Sequence, residues 1–376
     1  MKGDPKKEGV KKEDLKKEGK VSSSADEKKE KMLSFLLNPI FLIIFSILIL
    51  AIILFTVFSG VEETFEFSNC GDGTFSGYCS LSKPYFCLNE TLVENEVLCG
   101  CSESFNFNGV ECVSEYDSLI EEKYFDYILN GENGTLYFKS RALVLNELLA
   151  LPRYQVYFAN QTPRRDDFAL KKIDNPLQTE FLSPLVIEIQ NLYPVSKDMQ
   201  AKVAVSLVQN IHYNESQFIS FFGNDVRVSR YPYQVLSEGQ GECEGKSELL
   251  AFFLKEMGYG VVLFYYPNEN HEAVGIKCPI EESYLGTGYC FVETTMPSPI
   301  SFSEGRYLKE GGIGKLSSEP EIILINEGMS LGENLEDYKD SKTLSKIIIA
   351  NENNGGLNSF EKKAMDNLRK KYGLQY

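Results

Sequence analysis

The sequence predicts an α+β protein. It has N-terminal helices with a candidate nucleophile on a helix, an antiparallel sheet carrying a histidine and a glutamate, and, ahead of both, one transmembrane helix and a small disulfide-rich module. Three observations predict it. A Gly-rich turn runs into Cys243, after which Leu249, Leu250, Phe253, Leu254 and Met257 recur at helical spacing until Gly258 and Gly260. The stretches VVLFYY (261–266), HEAVGIKC (271–278) and GYCFVETT (288–295) then read as consecutive strands. Far upstream, an uncharged apolar run is followed by six cysteines.

In chain order, residues 1–34 read as a disordered, charged cytoplasmic tail, with a long Lys/Glu helix as the alternative. Eleven Lys face eight acids over 1–31, a local +3, which leaves about −19 on the rest of a chain of net charge −16. So acidic a surface excludes nucleic acid as a natural partner. Residues 35–59 form the expected transmembrane helix, because 40–58 hold no charge and only Ser46 and Thr56 are polar. The long lead and the FTVFSG sequence fit an uncleaved anchor better than a signal peptide. Lysines precede the run and Glu62, Glu63 and Glu66 follow it. The expected topology is a single-pass plasma-membrane protein with its N-terminus cytoplasmic and its bulk extracellular, the membrane itself being a partner.

Residues 60–113 form a module with Cys70, Cys79, Cys87, Cys99, Cys101 and Cys112. It is too small to rest on an apolar core, so disulfides are expected. Six cysteines allow about fifteen pairings and the spacing selects none. A zinc site is the rival reading, but the only close pair is Cys99-Gly-Cys101. Residues 114–196 read as a helical and irregular subdomain, with a turn at Asn130–Gly134 and a helical pattern over 177–192 interrupted by Pro184. Residues 197–326 carry the chemistry, and 327–376 read as a C-terminal helical appendage. Sequons lie at Asn89, Asn133, Asn160 and Asn214.

Within 197–326, Cys243 stands at the first turn of a buried helix, where free backbone N–H groups and the helix dipole suit a thiolate and an oxyanion. An inert buried Cys can also begin a helix. The chain has only two histidines. His271 follows Cys243 on a strand; His212 precedes it at a helix end and reads as a residue facing helix carbonyls. Strand parity puts His271 and Glu293 on one face if Cys278 and Cys290 pair on the other. With those cysteines directly opposite, however, His271 lies four residues beyond Glu293's partner, ~13 Å away. A bulge or a diagonal disulfide has to close that gap.

The stretches SLVQNIHY (206–213), RYPYQVL (230–236), GECEGKSELLAFFLKEMGYGVVLF (241–264), HEAVGIKCP (271–279) and YCFVETT (289–295) resemble transglutaminase-like (papain-related) proteins of archaeal cell surfaces, with the likeness covering about 198–325. The resemblance implies a papain/transglutaminase-like core with Cys243 as nucleophile, His271 as base and Glu293 as orienting acid, where the superfamily usually has Asp. Animal members take an oxyanion donor from a Trp, which this chain lacks; Tyr233, Gln234 and Gln240 are the candidate substitutes. No metal or other cofactor is expected. The implied function is a membrane-anchored extracellular thiol enzyme. It would cleave or transfer acyl groups at amide bonds of peptides, surface proteins or cell-wall peptide through a Cys-His-Glu triad and a thioester. The alternatives are a catalytically silent surface scaffold or binding protein of the same fold, and a Cys243 consumed in a disulfide.

Overall fold

The structure, a computed structural model, describes residues 38–59 and 68–376 apart from 154–156, 159, 163, 216 and 222, with side chains in the first stretch as far as Ile53. The tail expected over 1–34 and residues 35–37 lie outside the described residues. Two compact units divide at Glu66/Phe67.

In the first unit a helix spans Pro39–Ser59. Asn38 Oδ1 accepts the Ile40 N–H at 3.0 Å, and the large apolar side chains from Ile40 to Ile53 are exposed except half-buried Phe41. Among the described residues, no helix is long and apolar enough to cross a membrane. This corrects the anchor expected over 35–59. The single-pass plasma-membrane topology, the extracellular placement of the bulk and the membrane as a partner were drawn from that anchor, and they are corrected with it.

The second unit is a mixed α+β core. Four antiparallel strands lie in the spatial order Tyr289–Val292, His271–Lys277, Val261–Tyr266, Glu321–Asn326. The helix Cys243–Glu256 crosses one face of this sheet, flanked by helices Lys197–Asn210 and Pro232–Glu238. Leu249, Leu250, Phe253 and Leu254 are fully buried there with Val261, Leu263, Val274 and Ile276. The other face buries Val262, Phe264, Tyr266, Ala273, Phe291 and Leu316. Burial on both faces explains why 261–266 is an apolar run with no alternation. Each such side chain contributes roughly 1.5–3 kcal/mol on leaving water.

The irregular region of the sequence is more ordered than its pattern predicts. Strands Ile120–Leu129 and Glu132–Arg141 form a hairpin that runs into helix Ala142–Ala150. Asn130 and Gly131 both have positive φ at its tip, as a two-residue hairpin turn requires. Pro184 sits inside the continuous helix Pro176–Leu192. The Cys-rich segment is held by Cys70–Cys87, Cys79–Cys99 and Cys101–Cys112. It docks on that helix through Asn191, whose amide both accepts from the Leu92 N–H at 2.8 Å and donates to the Leu92 carbonyl at 2.9 Å.

A fourth bridge, Cys278–Cys290, sets the register of the site. Cys290 lies opposite Ile276, not opposite Cys278, so the bridge is diagonal. The two-residue shift brings Glu293 level with Ala273 and halves the ~13 Å gap to ~7 Å, a diagonal that two long side chains span. Glu293, one residue beyond the paired Val292, reaches His271 side chain to side chain. This bridge closes a 12-residue separation. Replacing both cysteines by Ser is expected to cost about 3 kcal/mol of unfolding free energy, measured by denaturant titration.

Candidate functional site

The local sequence fixes where the thiol sits. Helix Pro232–Glu238 ends at Gly239, whose φ of +67° is a left-handed conformation that glycine adopts without strain. The next two residues, Gln240–Gly241, pair in parallel with His212–Tyr213, and after Glu242 the helix Cys243–Glu256 begins. Its N-cap is Glu242, which is buried. That carboxylate accepts the Gly245 N–H at 3.2 Å and the Arg230 N–H at 2.7 Å, and pairs with the Arg230 guanidinium at 2.6 Å. A buried carboxylate cap needs a countercharge, and the guanidinium supplies it. Cys243 is therefore the first residue of a helix whose start is pinned, and it is the free cysteine among the described residues.

His271 opens its strand and Glu293 follows the end of the next. Cys243, His271 and Glu293 are 6, 4 and 0% exposed. His271 Nε2 and Glu293 Oε2 are hydrogen-bonded at 2.9 Å. Glu293 Oε1 accepts from the backbone N–H groups of Thr294 and Thr295, at 3.0 and 2.8 Å, and from the Thr295 hydroxyl at 2.6 Å. Burial works against the imidazolium, but the Glu293 charge, the nearby Cys243 sulfur and the hydrogen bond to Glu293 outweigh it, pushing His271 up to about 10. Burial also raises Glu293, yet its pKa lies below the ordinary carboxylate value because of the His271 charge and the His271 and Thr295 hydrogen bonds.

The expected three-membered triad is corrected on one side. Its His271–Glu293 link is closed, but no hydrogen bond of regular geometry joins Cys243 to His271 among the described residues. What remains is proximity: the sulfur influences His271, and both residues line one cavity of about 230 Å³.

The wall of that cavity carries charges the sequence did not single out. Arg165 bridges Glu244 at 3.2 Å and Glu272 at 3.0 Å, with its guanidinium 3.6 Å over the Tyr265 ring. Behind them, buried Lys172 pairs with buried Glu248 at 2.5 Å. Burial and the neighbouring Glu244 push Glu272 up to about 7, against the pull of Arg165. Tyr307, from strand Arg306–Lys309, stacks on the His271 ring with centroids 4.0 Å apart. It comes from a Gly-rich stretch that shows no chemistry in sequence.

Tyr233, Gln234 and Gln240 are engaged away from the thiol. The Tyr233 hydroxyl accepts the Arg141 N–H at 2.6 Å. Gln234 accepts from Arg153 at 3.2 Å and donates to Glu238 at 2.6 Å. Gln240 accepts from Asn214 at 3.0 Å. His212 is exposed, as are the four sequon asparagines. Among the described residues no group of three or more His, Cys, Asp or Glu could hold a metal ion.

No family model matches the chain, and no curated protein matches it. Among solved structures, calcium-bound Legionella pneumophila LapG matches at 13% identity, over 48% of this chain and 98% of that one, with a TM-score of 0.24. At that identity and TM-score the likeness carries no argument. With no membrane-crossing helix among the described residues and no closed Cys243–His271 link, the expected membership in a membrane-anchored archaeal transglutaminase-like group is corrected, together with the anchored surface enzyme and its surface and cell-wall substrates. The physical reason is that short helix and strand patterns around one Cys, one His and one acid are shared by unrelated folds.

The buried His271–Glu293 pair makes stability depend on pH. His271 is raised above its ordinary 6.5 in the folded state, so its contribution is complete below about pH 6.5 and is lost as pH rises through about 10. Thermal unfolding of the wild type is expected to weaken between pH 8 and 10 more steeply than that of His271→Ala.

Proposed function

We propose that the chain is a thiol-dependent acyl-transfer enzyme, a cysteine peptidase or amidase or an acyltransferase that hands the acyl group of a glutamine side chain to an amine. The observation that carries this reading is the juxtaposition of a free cysteine at a helix N-terminus with a carboxylate-held imidazole in one cavity. Cys243 is the nucleophile, His271 the base and Glu293 the group that orients the imidazole. With Nε2 engaged by Glu293, Nδ1 is the nitrogen left for the thiol proton.

The sulfur, its proton already held on the His271 imidazolium, adds to the carbonyl carbon of an amide. The tetrahedral oxyanion forms beside the start of the Cys243–Glu256 helix, where the Cys243 backbone N–H serves as donor in place of a side chain. Collapse breaks the C–N bond, and His271 returns the proton to the leaving nitrogen. Water or an amine then releases the acyl group from sulfur.

The test is alkylation by iodoacetamide across pH, with sites mapped by mass spectrometry, for the wild type, His271→Ala and Glu293→Gln. Cys243 is expected to label rapidly at pH 6 in the wild type. His271→Ala should slow it about 10²-fold or more, and Glu293→Gln by a smaller factor. Labelling at the rate of an ordinary thiol, unchanged in both variants, would rule the enzyme reading out.

A further inference from the structure

Lys246 lies one helical turn after Cys243 and is completely buried. A buried ammonium needs partners, and its partners are three backbone carbonyls from separate places. Nζ donates to Ile211 at 2.6 Å, to Gln209 at 3.4 Å and to Thr295 at 3.4 Å. The first two end helix Lys197–Asn210; the third lies two residues beyond Glu293. Gln209 completes the tie, because its Nε2 donates to the Glu293 carbonyl at 2.9 Å and to the Ser298 carbonyl at 3.0 Å. The next helix residue, Ser247, donates to the Glu272 carbonyl at 3.1 Å and shares a 3.0 Å hydrogen bond with the Thr294 hydroxyl. Consecutive residues of the thiol's helix thus grip the residue after His271 and the two residues after Glu293.

We propose that Lys246 is a positioning residue for the Cys243 site, fixing the thiol's helix against the Glu293 segment and holding a positive charge beside both. The proposal rests on the function argued above. The ionisable groups facing the ammonium are Glu293 and Cys243. Burial lowers the lysine to about 7 and these two groups oppose that fall, so the ammonium is charged at pH 6. No carboxylate salt bridge to its Nζ occurs among the described residues, so the charge is directed to carbonyls and to the site.

The experiment compares Cys243 alkylation in the wild type and in Lys246→Met, with folding checked by thermal melting and by the four intact disulfides. The variant is expected to label at least tenfold more slowly at pH 6, with the difference shrinking to under about threefold at pH 9, where the wild-type lysine is itself neutral. A lysine that served the fold alone would lower the melting temperature and leave the pH dependence unchanged; that result overturns the proposal. Where Lys246→Met does not fold, the wild type carries the test, through the Lys246 Nζ resonance before and after carbamidomethylation of Cys243. Loss of the neighbouring negative charge should lower the midpoint of the lysine titration, and an unmoved midpoint overturns the proposal. Slow labelling of the wild-type Cys243 would instead defeat the proposed function, and the lysine titration would still decide the positioning role.

Discussion

The structure of the site depends on the hydrogen bond between His271 and Glu293. Both partners are withdrawn from water, and an ion pair in such a place is stable only if its remaining polar atoms are satisfied. They are: the second carboxylate oxygen takes three donors from Thr294 and Thr295, and the ring is covered by Tyr307. Removing either member would strand a buried charge, which ordinarily costs about 3–5 kcal/mol. The surrounding framework can be read as what this pair requires. The diagonal Cys278–Cys290 bridge sets the strand register, Gln209 anchors the Glu293 backbone, and Ser247 holds both strand ends to the thiol's helix.

Around this fixed pair the cavity wall is a second layer of charge. Arg165 neutralises Glu244 and Glu272, while Lys172 neutralises Glu248 behind them. Three carboxylates share two cations there, which is why burial holds Glu248 and Glu272 toward the protonated form. Arg153 and Arg227 line the same cavity. The hairpin Gln217–Val228 leads directly into it and exposes Phe218, Ile219 and Val226. Rigid chemistry on paired strands beside a small, exposed hairpin is the division expected when a scaffold positions reacting groups and a loop meets the substrate.

Some of this was legible in the sequence. Helical spacing after Cys243 and the apolar run at 261–266 point directly to the elements the structure contains, because periodicity reports burial. Parity, with Cys278 and Cys290 paired on the opposite face, puts His271 and Glu293 on one strand face, and it exposes the register conflict that the diagonal disulfide eases. What could not be read depended on contacts distant in sequence. Nothing local marks Lys246 as buried, since lysine is ordinarily a surface residue and only three converging carbonyls make its burial affordable. Tyr307 reaches His271 from a hairpin that reads as a Gly-rich loop. Tyr233 and Gln234, selected for nearness in sequence to Cys243, have their polar groups taken by Arg141, Arg153 and Glu238. The Asn130-Gly131 turn is a strong hairpin signal whose flanking strands were obscured by charged residues. The anchor expected over 35–59 rested on local apolarity and flanking charge, and among the described residues no helix is long and apolar enough to cross a membrane.

The most direct test of this account is the NMR titration of the His271 imidazole, with the exposed His212 as the other histidine resonance, removed in a His212→Gln control to secure the assignment. The account predicts that His271 stays protonated through neutrality and titrates near 10, and that Glu293→Gln brings it down by more than one unit. A His271 that titrates near 6.5 in both proteins would contradict it, because the carboxylate would then not be holding the imidazole on which the proposed chemistry depends.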